Sequence, residues 1–159
     1  MLPMKGKTLG GNMKIEFTQK QYEALLKIVY LGSWMASSTK EKPEKEYENI
    51  EQYILSFAKD FNMEKFVGFD KKQKSYYPSE EFENSTDVVQ QIDDYDEYQV
   101  WEALVLSLSH RDIVKKYGEK KVEQMSEDEL LEKEFPLIQK YEEEFREHGF
   151  DNLYVRSKK

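Results

Sequence analysis

The sequence predicts a single, mainly α domain: a bundle of five or six amphipathic helices, with a minor two-stranded sheet that pairs the segment near Ile15 with that near Tyr154. Three observations carry the prediction. Apolar side chains recur at steps of three and four along most of the chain, the spacing that lines up one face of a helix. Capping pairs, Thr18 with Gln21 and Ser126 with Glu129, stand at the head of such stripes. Of the 159 residues 35% are charged, yet 14% are aromatic, which supplies the apolar area that a disordered acidic chain lacks. A domain of this length buries about 70% of the surface its unfolded chain exposes.

The first twelve residues differ from the rest. Lys5 and Lys7 are followed by no apolar run, so no secretory signal is expected. Leu9, Gly10, Gly11, Asn12 and Met13 can be encoded as TTA GGA GGT AAT ATG, a bacterial ribosome-binding sequence just upstream of a start codon. Met13 is therefore the expected initiator, residues 1–12 an expected leader, and 13–159 the expected domain.

Lys14 to Phe17 alternates polar and apolar like a short half-buried strand, and Thr18 then opens a helix. That helix shows Tyr22, Leu25, Leu26 and Val29, widened by Ile28, Tyr30, Leu31, Trp34 and Met35, which predicts a central position. Gly32 inside it costs about 1 kcal/mol against Ala and points to close backbone packing. After a polar loop, Pro43 suits the first turn of a second helix. Its stripe is Tyr47, Ile50, Ile54, Phe57, Ala58 and Phe61, with Glu51 on the opposite side. Residues 62–78 carry no clear pattern.

Two helices are expected next, one over about 86–95 with Val88, Val89 and Ile92 inward, and one opened by Asp96 with Gln99. The second shows Tyr98, Trp101, Leu104, Val105 and Leu108 and runs to Tyr117, where Lys115, Lys116 and Gly118 form a C-terminal signal. Ser126 opens the last helix, with Leu131, Phe135, Ile138, Tyr141 and Phe145 inward and Pro136 set to kink or divide it. Gly149 reads as a left-handed cap that brings Phe150 onto Phe145, before a closing strand over Leu153 to Val155.

Charge is the strongest functional signal. From Ser75 to His110 there is no Lys or Arg, but there are nine acids: Glu80, Glu81, Glu83, Asp87, Asp93, Asp94, Asp96, Glu97 and Glu102. The remaining acids and bases nearly cancel, so the net charge of −8 belongs to this window. A fixed negative field repels nucleic acid and anionic membrane surfaces and attracts basic partners. With no Cys and no run of about 18 apolar residues to span a bilayer, the sequence predicts a cytoplasmic protein that binds neither membrane nor nucleic acid directly.

Chemical motifs are weak by contrast. His110, Arg111 and Asp112 spell the catalytic tripeptide of protein kinases, but Tyr117 stands where that loop requires Asn and no glycine-rich loop accompanies it. Surface ion pairs are the expected role of Arg111 and Asp112. Gly6, Lys7 and Thr8 would need a first Gly where Met1 stands, so no phosphate loop and no cofactor are expected. Glu144, Glu147 and His148 share a helix face, but Phe145 interrupts the Glu-x-x-His spacing of di-iron bundles. Asp93, Asp94, Asp96 and Glu97 lack the Gly and ligand spacing of a calcium loop. No metal site and no catalytic residue is assigned.

The favoured reading is a non-enzymatic interaction module that docks a basic protein through the 75–110 window, with Asp93, Asp94, Tyr95, Asp96, Glu97 and Tyr98 as the partner-binding residues. Carboxylates steer the partner and tyrosines anchor it, with Tyr76, Tyr77 and Phe82 as further aromatic neighbours. Antitoxins, immunity proteins and DNA mimics use the same physics. The alternative is a carboxylate-based metal-dependent or hydrolytic enzyme. An enzyme needs carboxylates converging in a pocket with shifted pKa values, whereas a docking module fans them over an exposed face.

Overall fold

The computed structural model describes residues 14–154. They are mainly α with a small two-stranded sheet, as the sequence predicts. Helices α1 (Gln19–Ser37), α2 (Lys45–Leu55), α3 (Glu80–Ser85), α4 (Val88–Tyr117), α5 (Glu119–Val122) and α6 (Glu127–His148) are joined by strands β1 (Val67–Asp70) and β2 (Ser75–Pro78), which lie between α2 and α3 in sequence. The chain divides into two compact units after Gln90. The expected leader, the initiator Met13 and Val155 lie outside the described residues.

In the first unit, α1 opens on the expected capping box. The Thr18 hydroxyl accepts from the Gln21 N–H at 3.3 Å, and the Gln21 side chain accepts from the Thr18 N–H at 2.9 Å. Tyr22 and Leu26 are buried and share one core cluster with Leu55, Ala58, Met63, Phe66, Phe82 and Val88. The Tyr22 ring stacks on Phe61 with centroids 4.1 Å apart, and its hydroxyl donates to the Ile54 carbonyl at 2.6 Å. Burial pushes that phenol up to about 12. The inward face of α1 is narrower than its apolar content suggests, because Ile28 and Met35 stay exposed. A Cβ on Gly32 would meet nothing within 4 Å, so this glycine marks no close packing.

α2 departs from expectation in three ways. Pro43 precedes the Glu44 cap instead of sitting in the first turn. The helix stops at Leu55, tightens into a 3-10 turn over Ala58–Phe61, and ends where Asn62 takes φ 54°, a left-handed conformation that Asn tolerates. The inward line runs through Leu55 and Ala58, while Tyr47 and Ile50 are exposed and Phe57 packs only partly against the core. Glu51, expected on the outer side, is half-buried. Burial raises its pKa, opposed by a hydrogen bond from Ser33 and reinforced by the Glu48 charge.

The sheet forms in the stretch without a clear pattern, as an antiparallel hairpin that pairs Val67 with Pro78 and Asp70 with Ser75. Asp70 Oδ1 accepts from the N–H groups of Lys72 at 2.7 Å and Gln73 at 3.1 Å, the turn chemistry of a short polar side chain. Gly68 lies opposite Tyr77, and a Cβ there would run into the Tyr77 ring. The expected pairing of Ile15 with Tyr154 does not occur: neither Lys14 to Phe17 nor Leu153 and Tyr154 are in a strand. A hairpin closes a loop of a few residues, whereas a terminal sheet must close nearly the whole chain, at greater entropic cost. Ser79 then caps α3, accepting from the Phe82 N–H at 3.2 Å, and Phe82 becomes a core residue at 2% exposure. It is not a surface anchor beside the acids.

The second unit holds most of α4, which is one helix where the sequence predicts two. Asp96 does not cap. No Gly or Pro interrupts Val88–Tyr117, and Asp within a helix costs less than about 1 kcal/mol in propensity, too little to divide it. Lys115 and Lys116 lie in its last turn and the helix ends before Gly118, where the C-terminal signal puts it, but Gly118 at φ 85° and ψ 143° is outside the left-handed helical region. Ser126 caps α6 through the Glu129 N–H at 3.2 Å. Pro136 sits inside α6 without dividing it, while Leu131 and Phe135 of the expected inward stripe are exposed. Gly149 has φ 54° with ψ −125°, outside the left-handed helical region, so the expected cap is not made; Phe150 stacks on Trp101 at 4.4 Å.

Candidate functional site

The nine acids of the cation-free window are distributed over both units, and the structure treats the two groups differently. In the first unit, Glu81 pairs with Lys65 and Asp87 with Lys27, each at 2.8 Å, and Glu83 accepts from the Tyr30 hydroxyl at 3.0 Å. Burial and the Glu83 contact push Tyr30 up to about 12. Of these contacts, the Glu83–Tyr30 bond joins α3 to α1, while the two ion pairs lie at the surface. Tyr76 packs partly against its core and Tyr77 is exposed.

In the second unit, Asp93, Asp94, Asp96 and Glu97 lie on α4 and are all exposed. Helical spacing puts Asp93, Asp96 and Glu97 on one face, with Asp94 and Tyr98 a turn apart on its flank. Tyr95 is 43% and Tyr98 60% exposed. The carboxylates therefore point outward, and no three of them are placed to hold a metal ion.

Two contacts join this acidic surface to an aromatic cluster. The Trp101 indole N–H donates to Glu97 Oε1 at 3.4 Å, and the Tyr98 hydroxyl donates to Glu102 Oε1 at 3.1 Å, a bond to a carboxylate that raises the Tyr98 pKa. Trp101 also meets Phe145 of α6 with ring centroids 5.5 Å apart. Beside these rings a cavity of about 360 Å³ opens between α4 and α6, with Val105, Leu106 and Ile138 as its aliphatic lining and Glu102, Glu142 and Arg146 as its charged groups. This cavity is absent from the sequence reading. The only available signal was Trp101 and Tyr98 at helical spacing beside the acids, because Ile138, Glu142 and Phe145 come from a distant helix.

Elsewhere in the second unit, Arg111 Nη2 lies 2.9 Å from Asp112 Oδ1, the surface pair expected of those residues. The Tyr141 hydroxyl donates to Asp112 Oδ2 at 2.5 Å and accepts from Arg111 at 3.0 Å. The Arg111 and Tyr141 hydrogen bonds hold the Asp112 carboxyl well below the usual range. His148 Nδ1 lies 3.5 Å from Glu144, and His110 Nδ1 3.6 Å from Glu134. Among the described residues, no three His, Asp or Glu side chains cluster so as to hold a metal ion. No helix there is long and apolar enough to cross a membrane.

No protein-family model, curated protein or solved structure matches this chain.

Proposed function

We propose that this protein is a non-enzymatic interaction module of the cytoplasm that docks a basic protein partner through the acidic face of α4. The observation that supports the reading is the outward placement of Asp93, Asp94, Asp96 and Glu97 beside the exposed rings of Tyr95 and Tyr98. Exposed like charges act at a distance, raising the encounter rate with an oppositely charged surface, and partly exposed tyrosines then supply contact area at low entropic cost. The same field disfavours nucleic acid and anionic lipid as direct ligands.

The test starts with affinity purification from the native host to identify partners, followed by association kinetics with the purified partner. The variant Asp93→Asn, Asp94→Asn, Asp96→Asn, Glu97→Gln is expected to keep its helical circular dichroism, to associate more slowly and to show a flatter dependence of on-rate on salt. Steering by exposed charge is screened beyond about 8 Å at physiological ionic strength, so the difference from wild type shrinks as salt rises. An unchanged on-rate and an unchanged salt slope would make these residues a solubility device and remove the reading. Loss of a metal-dependent activity in the variant would instead support the carboxylate enzyme.

A further inference from the structure

Steering alone does not say what the partner inserts once it arrives, and the cavity between α4 and α6 has a composition that selects an occupant. We propose that this cavity receives one arginine side chain of the basic partner, a proposal that deepens the docking reading and rests on it. At about 360 Å³ it lies at the small end of the range for ligand sites, roughly 300 to 1,000 Å³. Its aliphatic part, Val105, Leu106 and Ile138, suits the methylene stem of a long basic side chain, which buries its carbons while keeping its charge near water.

The charged head then meets a matching rim. The Tyr98 ring, 60% exposed, offers a face on which a guanidinium stacks. Glu102 and Glu142 supply carboxylates for charge-assisted hydrogen bonds. Glu102 is held in place by the Tyr98 hydroxyl at 3.1 Å and the Gln99 amide at 3.5 Å, so part of the ordering cost is met before binding. The one cation of the lining, Arg146, lies 3.7 Å from Glu143, a carboxylate outside the cavity. The lining thus carries two acids against one cation, and that cation's own side chain is 72% exposed and able to turn toward solvent. Arginine fits better than lysine, since a planar fork can stack on a ring and reach carboxylates at once, whereas an ammonium is a compact, strongly hydrated point charge.

Hexa-arginine and hexa-lysine carry equal charge and separate this cavity from the acidic face. The reporter is the Trp101 indole N–H resonance, assigned by its loss in Trp101→Phe, followed during titration of the labelled protein with each peptide. Wild type is expected to bind hexa-arginine about tenfold more tightly than hexa-lysine. Glu102→Gln with Glu142→Gln, and separately the cavity-filling Ile138→Trp, are expected to abolish that preference. The two surface Glu→Gln changes keep the test decisive if the tryptophan does not fold. The variant Asp93→Asn, Asp94→Asn, Asp96→Asn, Glu97→Gln is expected to weaken both peptides alike and leave their ratio unchanged. Equal affinities in wild type, or a preference that survives both cavity variants, overturns the arginine pocket and leaves the docking face standing. Undiminished binding of both peptides to the acidic-face variant overturns the docking face and leaves the pocket.

Discussion

Gln52 of α2 and Tyr76 of β2 exchange two hydrogen bonds, the Gln52 amide donating to the Tyr76 carbonyl at 2.7 Å and accepting from the Tyr76 N–H at 2.6 Å. A side-chain amide here does what a neighbouring strand would do. It satisfies both backbone groups of a residue on the outer edge of a two-stranded sheet and fastens that sheet to a helix.

Gln52→Ala is expected to cost about 1 to 3 kcal/mol, since both Tyr76 backbone groups lose a partner in a partly buried place. Gln52→Glu keeps the shape but replaces the donor, so it leaves the Tyr76 carbonyl facing a carboxylate and is expected to destabilise as well. Urea unfolding monitored by circular dichroism measures both, and a loss near zero for both variants would show that water replaces the amide freely.

Phe82→Ala is expected to cost about 3 to 5 kcal/mol, the range for a fully buried ring. Phe82 is 2% exposed, with Phe66 edge-on at 5.7 Å and Tyr30 at 5.5 Å. Phe57→Ala is expected to cost clearly less, about 1 to 3 kcal/mol, because that ring packs only against the outside of the cluster. Equal losses in parallel melts would place Phe57 in the core after all.

Glu51→Gln is expected to raise the melting temperature at pH 7. Burial raises the folded-state pKa of Glu51 above its unfolded value, so the folded state binds the extra proton and ionisation at higher pH works against folding. The gain is expected to shrink as pH falls and to vanish below the unfolded carboxylate pKa of about 4.3, which melts at pH 7, 5 and 3.5 would follow.

Asp112→Asn is expected to behave in the opposite sense. The Arg111 and Tyr141 hydrogen bonds depress the folded-state pKa of Asp112, so its contribution is present above the unfolded value and is lost as pH falls below about 3.9. With solvent screening of this partly exposed group the loss at pH 7 is about 1 kcal/mol. A variant that melts with wild type at pH 7 would show that the Arg111–Tyr141–Asp112 contacts contribute nothing net.

Local signals were the legible ones. Thr18 with Gln21 and Ser126 with Glu129 specify helix starts within four residues, and both caps are made. Asp96 with Gln99 is the same pattern in the wrong setting: good helix-forming context on either side carries α4 straight through it. The hairpin was illegible because its stabilising partners are not local. Gly68 is required by Tyr77 across the turn, and Tyr76 is satisfied by Gln52 from the preceding helix. The candidate site shows the same limit. Exposed carboxylates at residues 93–97 follow from charge and helical period, but a cavity made by Trp101, Phe145 and Ile138 depends on α4 meeting α6, and nothing within either helix announces that meeting.

From Val88 to His110, α4 offers no primary amine and no guanidinium. Amine-reactive cross-linkers, the usual means of trapping a complex, therefore have no attachment point along this stretch, and trypsin has no bond to cut within it. A carbodiimide, which activates carboxylates and joins them directly to a lysine on the other protein, has its targets concentrated there. The resulting linked fragment would run unbroken from Ser75 to Arg111, and an acid-side protease such as one cleaving after Glu would be needed to resolve which carboxylate had reacted.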